Sequence, residues 1–214
     1  DLVKIRVYAT QSTHKTLSSL RQGSMIHIYD ELYRRKVEDS FHEAYKTHTS
    51  TSPNYQILAS LDAGRRQVQF EGYEMVEKSI EMAMVIRSKI VTHPKLKKYF
   101  DLLTVENNIP QKYRKSGINE YFRPDEGWVR MEEAWAEDEF VLDPTKINLY
   151  IGKTGVDGDT FKNKFLMDQF GIQINKTSRN TVLFMTNIGT TRSSVAYLIS
   201  VLIKISDQLD ERQA

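Results

Sequence analysis

The strongest constraint on the fold is the segment from Thr191 to Leu209. Val195, Leu198, Ile199, Leu202, Ile205 and Leu209 recur there at helical spacing on one face. A helix apolar on one side must bury that side, and here the stripe reads as core packed on a sheet rather than as a partner-binding surface. Strand patterns precede it at Lys146 to Ile151, Gly171 to Lys176 and Thr181 to Thr186, with a helix between them over Asp159 to Phe170. This part of the chain predicts a small α+β layer.

The front of the chain has a different pattern. Val3, Ile5 and Val7 alternate with Lys4, Arg6 and Tyr8, as in a strand, and Ser24 to Tyr29 reads as a second strand behind Gly23. Helical spacing follows over Val37 to His48, then a polar loop ending in Ser52 and Pro53, a helix over Asn54 to Val68, and a longer one through Tyr73, Val76, Ile80, Ala83, Met84 and Arg87 that stops near Pro94. The weakly patterned, polar stretch from Tyr99 to Asp125 marks the expected boundary. It divides the chain into residues 1–110 and 111–214.

Between the first two strands stands Ala9-Thr10-Gln11-Ser12-Thr13-His14-Lys15. A lysine amine condenses with carbonyls, including the aldehyde of pyridoxal phosphate (PLP), and neighbouring hydroxyl and imidazole groups suit a phosphate. This heptapeptide, followed by Ser24-Met25-Ile26-His27, resembles the cofactor-lysine segment of the bacterial ornithine/lysine/arginine decarboxylases, PLP enzymes of fold type I. A second block, His48-Thr49-Ser50-Thr51-Ser52-Pro53-Asn54-Tyr55, is similar to that family's His-Thr-x-Thr-Ser-Pro-x-Tyr pattern. Scaffold matches at Phe41 to Tyr45, Leu142 to Lys146, Gly171-Ile172, Lys176-Thr177 and Ile188-Gly189 extend the likeness over most of the chain.

The resemblance implies an α/β fold: the C-terminal part of a PLP fold-type-I major domain over 1–110, then a small α+β C-terminal domain over 111–214. It implies PLP as cofactor and Lys15 as the catalytic Schiff-base residue. Ser12 and His14 become phosphate neighbours, and Thr49, Ser50 and Thr51 further phosphate contacts reached across a dimer interface. The expected reaction is decarboxylation of a basic amino acid, lysine or arginine ahead of ornithine, in a homodimer or higher oligomer. The family carries several hundred residues before its cofactor lysine, and only fourteen precede Lys15 here. Alone, the chain is therefore expected to be inactive unless a separate chain supplies the missing N-terminal half. A dimerising or regulatory module without catalysis is the alternative of a different class, and an aminotransferase the alternative on the same fold.

Ser52 and Pro53 also have a simpler role, as N-cap and first residue of the following helix. Arg179, between two strands, offers a guanidinium to a carboxylate or is a surface turn residue. Ser12-x-x-Lys15, Ser52-x-Asn54 and Lys153-Thr154-Gly155 occur in the order used by serine β-lactamases, but that serine must open a helix, and Lys153-Thr154-Gly155 reads as a turn. Gly152-Lys153-Thr154 fails as a phosphate loop because Ile147 occupies the required upstream glycine position. Glu132, Glu133, Glu137, Asp138 and Glu139 near Trp128 and Trp135 read as solvated carboxylates.

His27, His42, His48 and His93 lack metal-ligand spacing, so no metal is expected. Thirty basic and 28 acidic residues are interspersed to a net charge of +2, giving no footprint for nucleic acid or an anionic membrane. No apolar run approaches the roughly 20 residues of a membrane helix. With no cysteine there is no disulfide framework, which fits a reducing compartment, and the cytoplasm is the expected location.

Overall fold

The computed structural model describes residues 4–123, 125 and 130–213. They form two units, Asp1–Glu74 and Met75–Ala214.

In the first unit, β1 (Arg6–Gln11) and β2 (Met25–Asp30) pair antiparallel from Arg6↔Asp30 to Gln11↔Met25. The expected strand is present from Arg6, but its alternation does not bury one face: Ile5 and Val7 are exposed together with Tyr8, and Val3 lies outside the described residues. Between the strands α1 (Thr13–Thr16) makes a single turn. A π-helical turn at Tyr33–Val37 leads into α2 (Glu38–His48). Phe41 of α2 gathers Tyr33 and Tyr8 at ring distances of 5.6 and 6.3 Å.

The two helices expected on either side of Val68 to Tyr73 are one, α3 (Tyr55–Thr92), of 38 residues. Gly64 and Gly72 do not break it. A glycine inside a helix costs only about 1 kcal/mol against alanine, and tertiary packing offsets that readily. Its N-cap is Asn54, not Ser52 with Pro53 behind it: the Asn54 carboxamide oxygen accepts from the Gln56 and Ile57 amides at 2.9 and 3.2 Å. Those are two of the amides a helix start leaves unpaired.

The second unit holds the sheet. After α4 (Pro94–Tyr99) come β3 (Asp101–Leu102), α5 (Val105–Asn108), α6 (Arg130–Glu137) and β4 (Lys146–Tyr150). Next are α7 (Gly158–Thr160), a π-helical segment Phe161–Met167 and α8 (Asp168–Phe170), then β5 (Lys176–Thr177), β6 (Thr181–Met185) and α9 (Arg192–Gln213). The strands run β3-β4-β6-β5, all antiparallel. Ile147 faces Phe184 and Leu149 faces Val182 across the central pair, and all four are buried. They pack with the Val195, Leu198, Leu202, Ile205 and Leu209 stripe of α9 and with Met82, Ile86 and Ile90 of α3 in one core.

Two expectations change here. The strand read over Gly171 to Lys176 shrinks to Lys176–Thr177, because Gly171 takes φ +65 to end α8 and the Ile172 amide turns back to Leu166. The polar stretch after Tyr99 is not a break: Val105, Ile109, Ile118 and Tyr121 build a second core with Ile80 and Met84 of α3. Arg114 staples that stretch, donating to the Ile109 and Ile118 carbonyls at 2.9 and 3.0 Å. The sheet also draws β3 from before residue 110, and the units divide at 74/75, inside α3.

Candidate active site

Lys15 follows β1 on α1, held by a turn in which its own amide donates to the Ser12 carbonyl at 3.0 Å and the Leu17 amide to Thr13 at 2.9 Å. Across the hairpin, His27 Nε2 donates to the Gln11 side-chain carbonyl at 3.1 Å, tying the strand ends together just before the loop. Behind the loop, Thr13 is buried and the Leu20 amide donates to Ser60 Oγ of α3 at 3.0 Å.

Gly64 sets how closely the loop approaches α3. A Cβ there would stand 2.0 Å from the Ser18 carbonyl oxygen and 3.9 Å from the Thr13 methyl. At Gly23 an added Cβ would likewise stand 2.8 Å from the Ile57 side chain and 3.0 Å from that of Leu61. Neither glycine was singled out for this role in the sequence. For Gly64 the usable signal was a glycine inside an otherwise helical pattern, which marks close packing.

The Lys15 side chain is exposed and makes no hydrogen bond or ion pair among the described residues. Ser12 is exposed and makes no capping bond with its side chain. The His14 ring is half-buried, and its Nδ1 is enclosed without a partner. Gln11, Ser12, Thr13, Lys15 and Leu17 line a cavity of about 430 Å³, and His14 does not. A primary amine and a hydroxyl free to bond, with an unsatisfied imidazole nitrogen between them in sequence, are groups that fit an aldehyde and a phosphate.

The electrostatics at the far end of the hairpin come from Asp30. Burial acts to raise its pKa, but the Tyr8 hydroxyl at 2.7 Å, the Leu32 amide at 2.9 Å and Arg6 outweigh it, and the carboxyl lies below its ordinary range. Tyr8 is raised in turn, first by that hydrogen bond.

The second block closes α2. The Thr49 hydroxyl donates to the Tyr45 carbonyl at 2.7 Å, His48 Nδ1 to that of Ala44 at 2.8 Å, and Ser50 Oγ accepts from the Ser52 amide at 3.1 Å. Thr49, Ser50 and Thr51 are exposed. Among the described residues no hydrogen bond joins this loop to the Lys15 loop.

The remaining candidates are scattered. Arg179 is exposed in the turn before β6, where its carbonyl accepts from the Gly158 amide at 2.9 Å. Lys153 is ion-paired with Asp101 at 2.5 Å and the Thr154 hydroxyl donates to the Ile151 carbonyl, so Lys153-Thr154-Gly155 is a structural turn. Glu133 pairs with Arg130 at 3.7 Å, Asp138 accepts from Ser116, and Trp128 lies outside the described residues. Among the described residues no three His, Cys, Asp or Glu side chains form a metal-binding group.

A family model described as "Orn/Lys/Arg decarboxylase, major domain" matches residues 3–194. The chain is 29% identical over 213 residues to the constitutive lysine decarboxylase of Escherichia coli (strain K12), covering 95% of this chain and 28% of that protein. It is 30% identical over 211 residues to the lysine decarboxylase of Hafnia alvei, covering 92% and 26%. The crystal structure of the Francisella novicida lysine decarboxylase superposes with a TM-score of 0.70 at 28% identity, over 96% of this chain and 28% of that one. The constitutive ornithine and biodegradative arginine decarboxylases of Escherichia coli (strain K12) also match, at 25% and 24%. The chain thus spans about 28% of the length of the first of these relatives. A match to the family model over residues 3–194, with a fold shared at that TM-score, means that this chain belongs to the Orn/Lys/Arg decarboxylase family.

Proposed function

We propose that this chain contributes the cofactor-lysine segment of a PLP-dependent decarboxylase of basic amino acids, acting on lysine or arginine ahead of ornithine and producing an amine of polyamine metabolism. The observation that carries the reading is Lys15, an unpaired lysine on a turn that is anchored from behind by Thr13, Gly64 and Ser60. Lys15 would hold the cofactor aldehyde, with Ser12 and His14 at its phosphate and Thr49, Ser50 and Thr51 as further phosphate contacts. Bound PLP supplies an electron sink for the bond to the departing carboxyl group. The amine must be unprotonated to react, so the function calls for further protein surface over the Lys15 loop.

That surface is part of the proposal. Phe70 and Tyr73 are 80% and 79% exposed, and Ile5, Val7, Ile26 and Tyr29 of the hairpin are exposed as well. Apolar area of this kind marks protein contact. A second copy of the chain, or a separate chain carrying the rest of the cofactor site, would cover it, in the cytoplasm. A non-catalytic dimerising or regulatory module is the second reading, favoured by the exposure of Lys15 itself.

Incubation with PLP, borohydride reduction and peptide mass spectrometry test the reading, with Lys15→Ala in parallel. A pyridoxyl group on the Lys15 peptide, absent from the variant, is expected, followed by carbon dioxide release from lysine, arginine or ornithine once the covering chain is present. Labelling scattered over surface lysines, equal in the variant, would remove Lys15 from the cofactor role.

A further inference from the structure

The outer face of the first half of α3 is arranged symmetrically about Gly64. Tyr55, Asp62, Arg66, Gln69 and Tyr73 recur at spacings of three, four or seven, which puts them on one side of the helix. All five are exposed, both tyrosines at 79%, while Leu61 and Gly64 on the opposite side are buried. Tyr55 and Tyr73 stand nine residues before and after Gly64, and Asp62 and Arg66 two before and after it. Leu58 with Gln69, and Ala59 with Phe70, keep the same centre to within one residue. Leu58, Ala59 and Phe70 are exposed as well.

A contact between two identical copies demands this kind of order: wherever residue i of one copy meets residue j of the other, j also meets i. Two α3 helices laid antiparallel and centred on Gly64 satisfy it along the whole face. Tyr55 lies against the partner's Tyr73, Ala59 leaves room for the partner's Phe70, and Leu58 covers the stem of the partner's Gln69, each contact occurring twice. Asp62 faces the partner's Arg66. A parallel alignment in register would instead oppose Asp62 to Asp62 and Arg66 to Arg66, like charge on like. Within one copy Asp62 already accepts from Arg65 at 2.8 Å and pairs with Arg66 at 3.2 Å, so pairing across the contact exchanges one guanidinium for its equivalent. The charges therefore set direction and the rings supply affinity. A face turned toward an unrelated surface has no use for its own reversed order.

We propose that α3 from Tyr55 to Tyr73 is an antiparallel, two-fold contact between two copies of this chain. At 1.5 Å per residue the contact runs about 27 Å along the helix. Tyr55, Phe70 and Tyr73, each about four-fifths exposed, bring roughly half of the about 800 Å² that each partner of a stable interface buries. Leu58, Ala59 and the stems of Arg66 and Gln69 supply more. The pairing does not depend on Lys15 holding a cofactor.

Sedimentation velocity of the 214-residue chain at rising concentration should show a reversible monomer–dimer equilibrium. Tyr73→Ala and Phe70→Ala, each felt twice in the dimer, should weaken it at least about tenfold. Both side chains are exposed, so the variants keep the fold, as circular dichroism checks. The chain has no cysteine, and one introduced by substitution therefore reports its own position. Tyr55→Cys and Tyr73→Cys chains are mixed and treated with a bis-maleimide spanning about 10 Å, the separation of packed helices. Cross-linked dimer is expected from the mixture, where the second Tyr55–Tyr73 contact is intact, and not from either variant alone, whose thiols would stand about 27 Å apart. A chain that stays monomeric up to about 1 mM, where even millimolar association shows, overturns the proposal and leaves the face to a different chain. So does a dimer that Tyr73→Ala leaves at parent strength, which puts the contact elsewhere. Cross-linking of either variant alone, or none from the mixture, overturns the antiparallel register.

Discussion

Placing one methyl group on α3 tests how the Lys15 loop is positioned. At an unconstrained helix site, Gly→Ala stabilises by about 1 kcal/mol. At Gly64 the new Cβ would lie 2.0 Å from the Ser18 carbonyl oxygen and 3.2 Å from its carbon. Van der Waals contact requires the backbone to retreat by more than about 1 Å, and unlike a side chain it has no rotamer to escape into. Overpacking of this severity costs about 3 kcal/mol, which less the propensity gain leaves a net loss of about 2 kcal/mol. The loss falls on the segment from Thr13 to Gly23, so a local probe suits it best: exchange of the Leu20 amide, whose hydrogen bond to Ser60 Oγ spans the loop and α3. At 1.4 kcal/mol per tenfold, Gly64→Ala should speed that exchange about 30-fold. The same variant should lose cofactor labelling at Lys15, three residues before the displaced carbonyl. Slower exchange, with a chain stabilised by about 1 kcal/mol, would mean that Gly64 is an ordinary surface glycine and that the loop is not seated on it.

Asn54→Ala should destabilise the start of α3 by about 1 kcal/mol while Ser52→Ala changes it little, read by thermal unfolding; the reverse order would restore Ser52 as the cap. Burial acts to raise Asp143, but the Thr145 hydroxyl at 2.6 Å, the Thr145 amide at 2.9 Å and Lys146 at 3.4 Å overcome it and hold the carboxyl below its ordinary value. A folded-state pKa below the unfolded one gives stability that is present above the unfolded value, about 3.9, and lost as pH falls through the lower folded value. Asp143→Asn should therefore lower the Tm at pH 7, with the gap to the parent closing under acid; a gap unchanged down to the acid limb contradicts the assignment.

The parts of the fold legible in the sequence are those whose pattern and packing coincide. The α9 stripe is buried where its period places it, and Ile147, Leu149, Val182 and Phe184 alternate inward as strands facing a helix should. Long-range geometry decided what pattern could not. The gap read between Val68 and Tyr73 is not there, and local propensity carries no trace of the Ser18 carbonyl that Gly64 accommodates. Ile172 and Ile174 alternate like a strand, yet the ladder to β6 takes up only Lys176 and Thr177. Residues 99–125 look like a linker because Val105, Ile109, Ile118 and Tyr121 share no single period, although they meet in one core. At the site, the residue types around Lys15 were legible and their support was not: Thr13, Gly64 and Ser60 converge from positions about 50 residues apart in sequence. Ser52 and Pro53 fit a helix start by residue type alone, and two hydrogen bonds to the Asn54 carboxamide oxygen place the cap two residues later. Arg87 did stand in the apolar series of α3, and the structure buries it there with Nη2 donating to the Lys146 carbonyl at 2.9 Å.

The 38 residues of α3 are unequally supported. From Ser79 to Ile90 both cores hold the helix, whereas before Glu74 only Leu61 and Gly64 are enclosed and Tyr55, Phe70 and Tyr73 face outward. Starting a helix is the unfavourable step and extending it is nearly free. A turn already formed lowers the cost of the next, so the turns before Glu74 keep their helical form with only Leu61 and Gly64 enclosed, and that economy leaves the rest of their surface open around the helix face on which the Lys15 loop is seated.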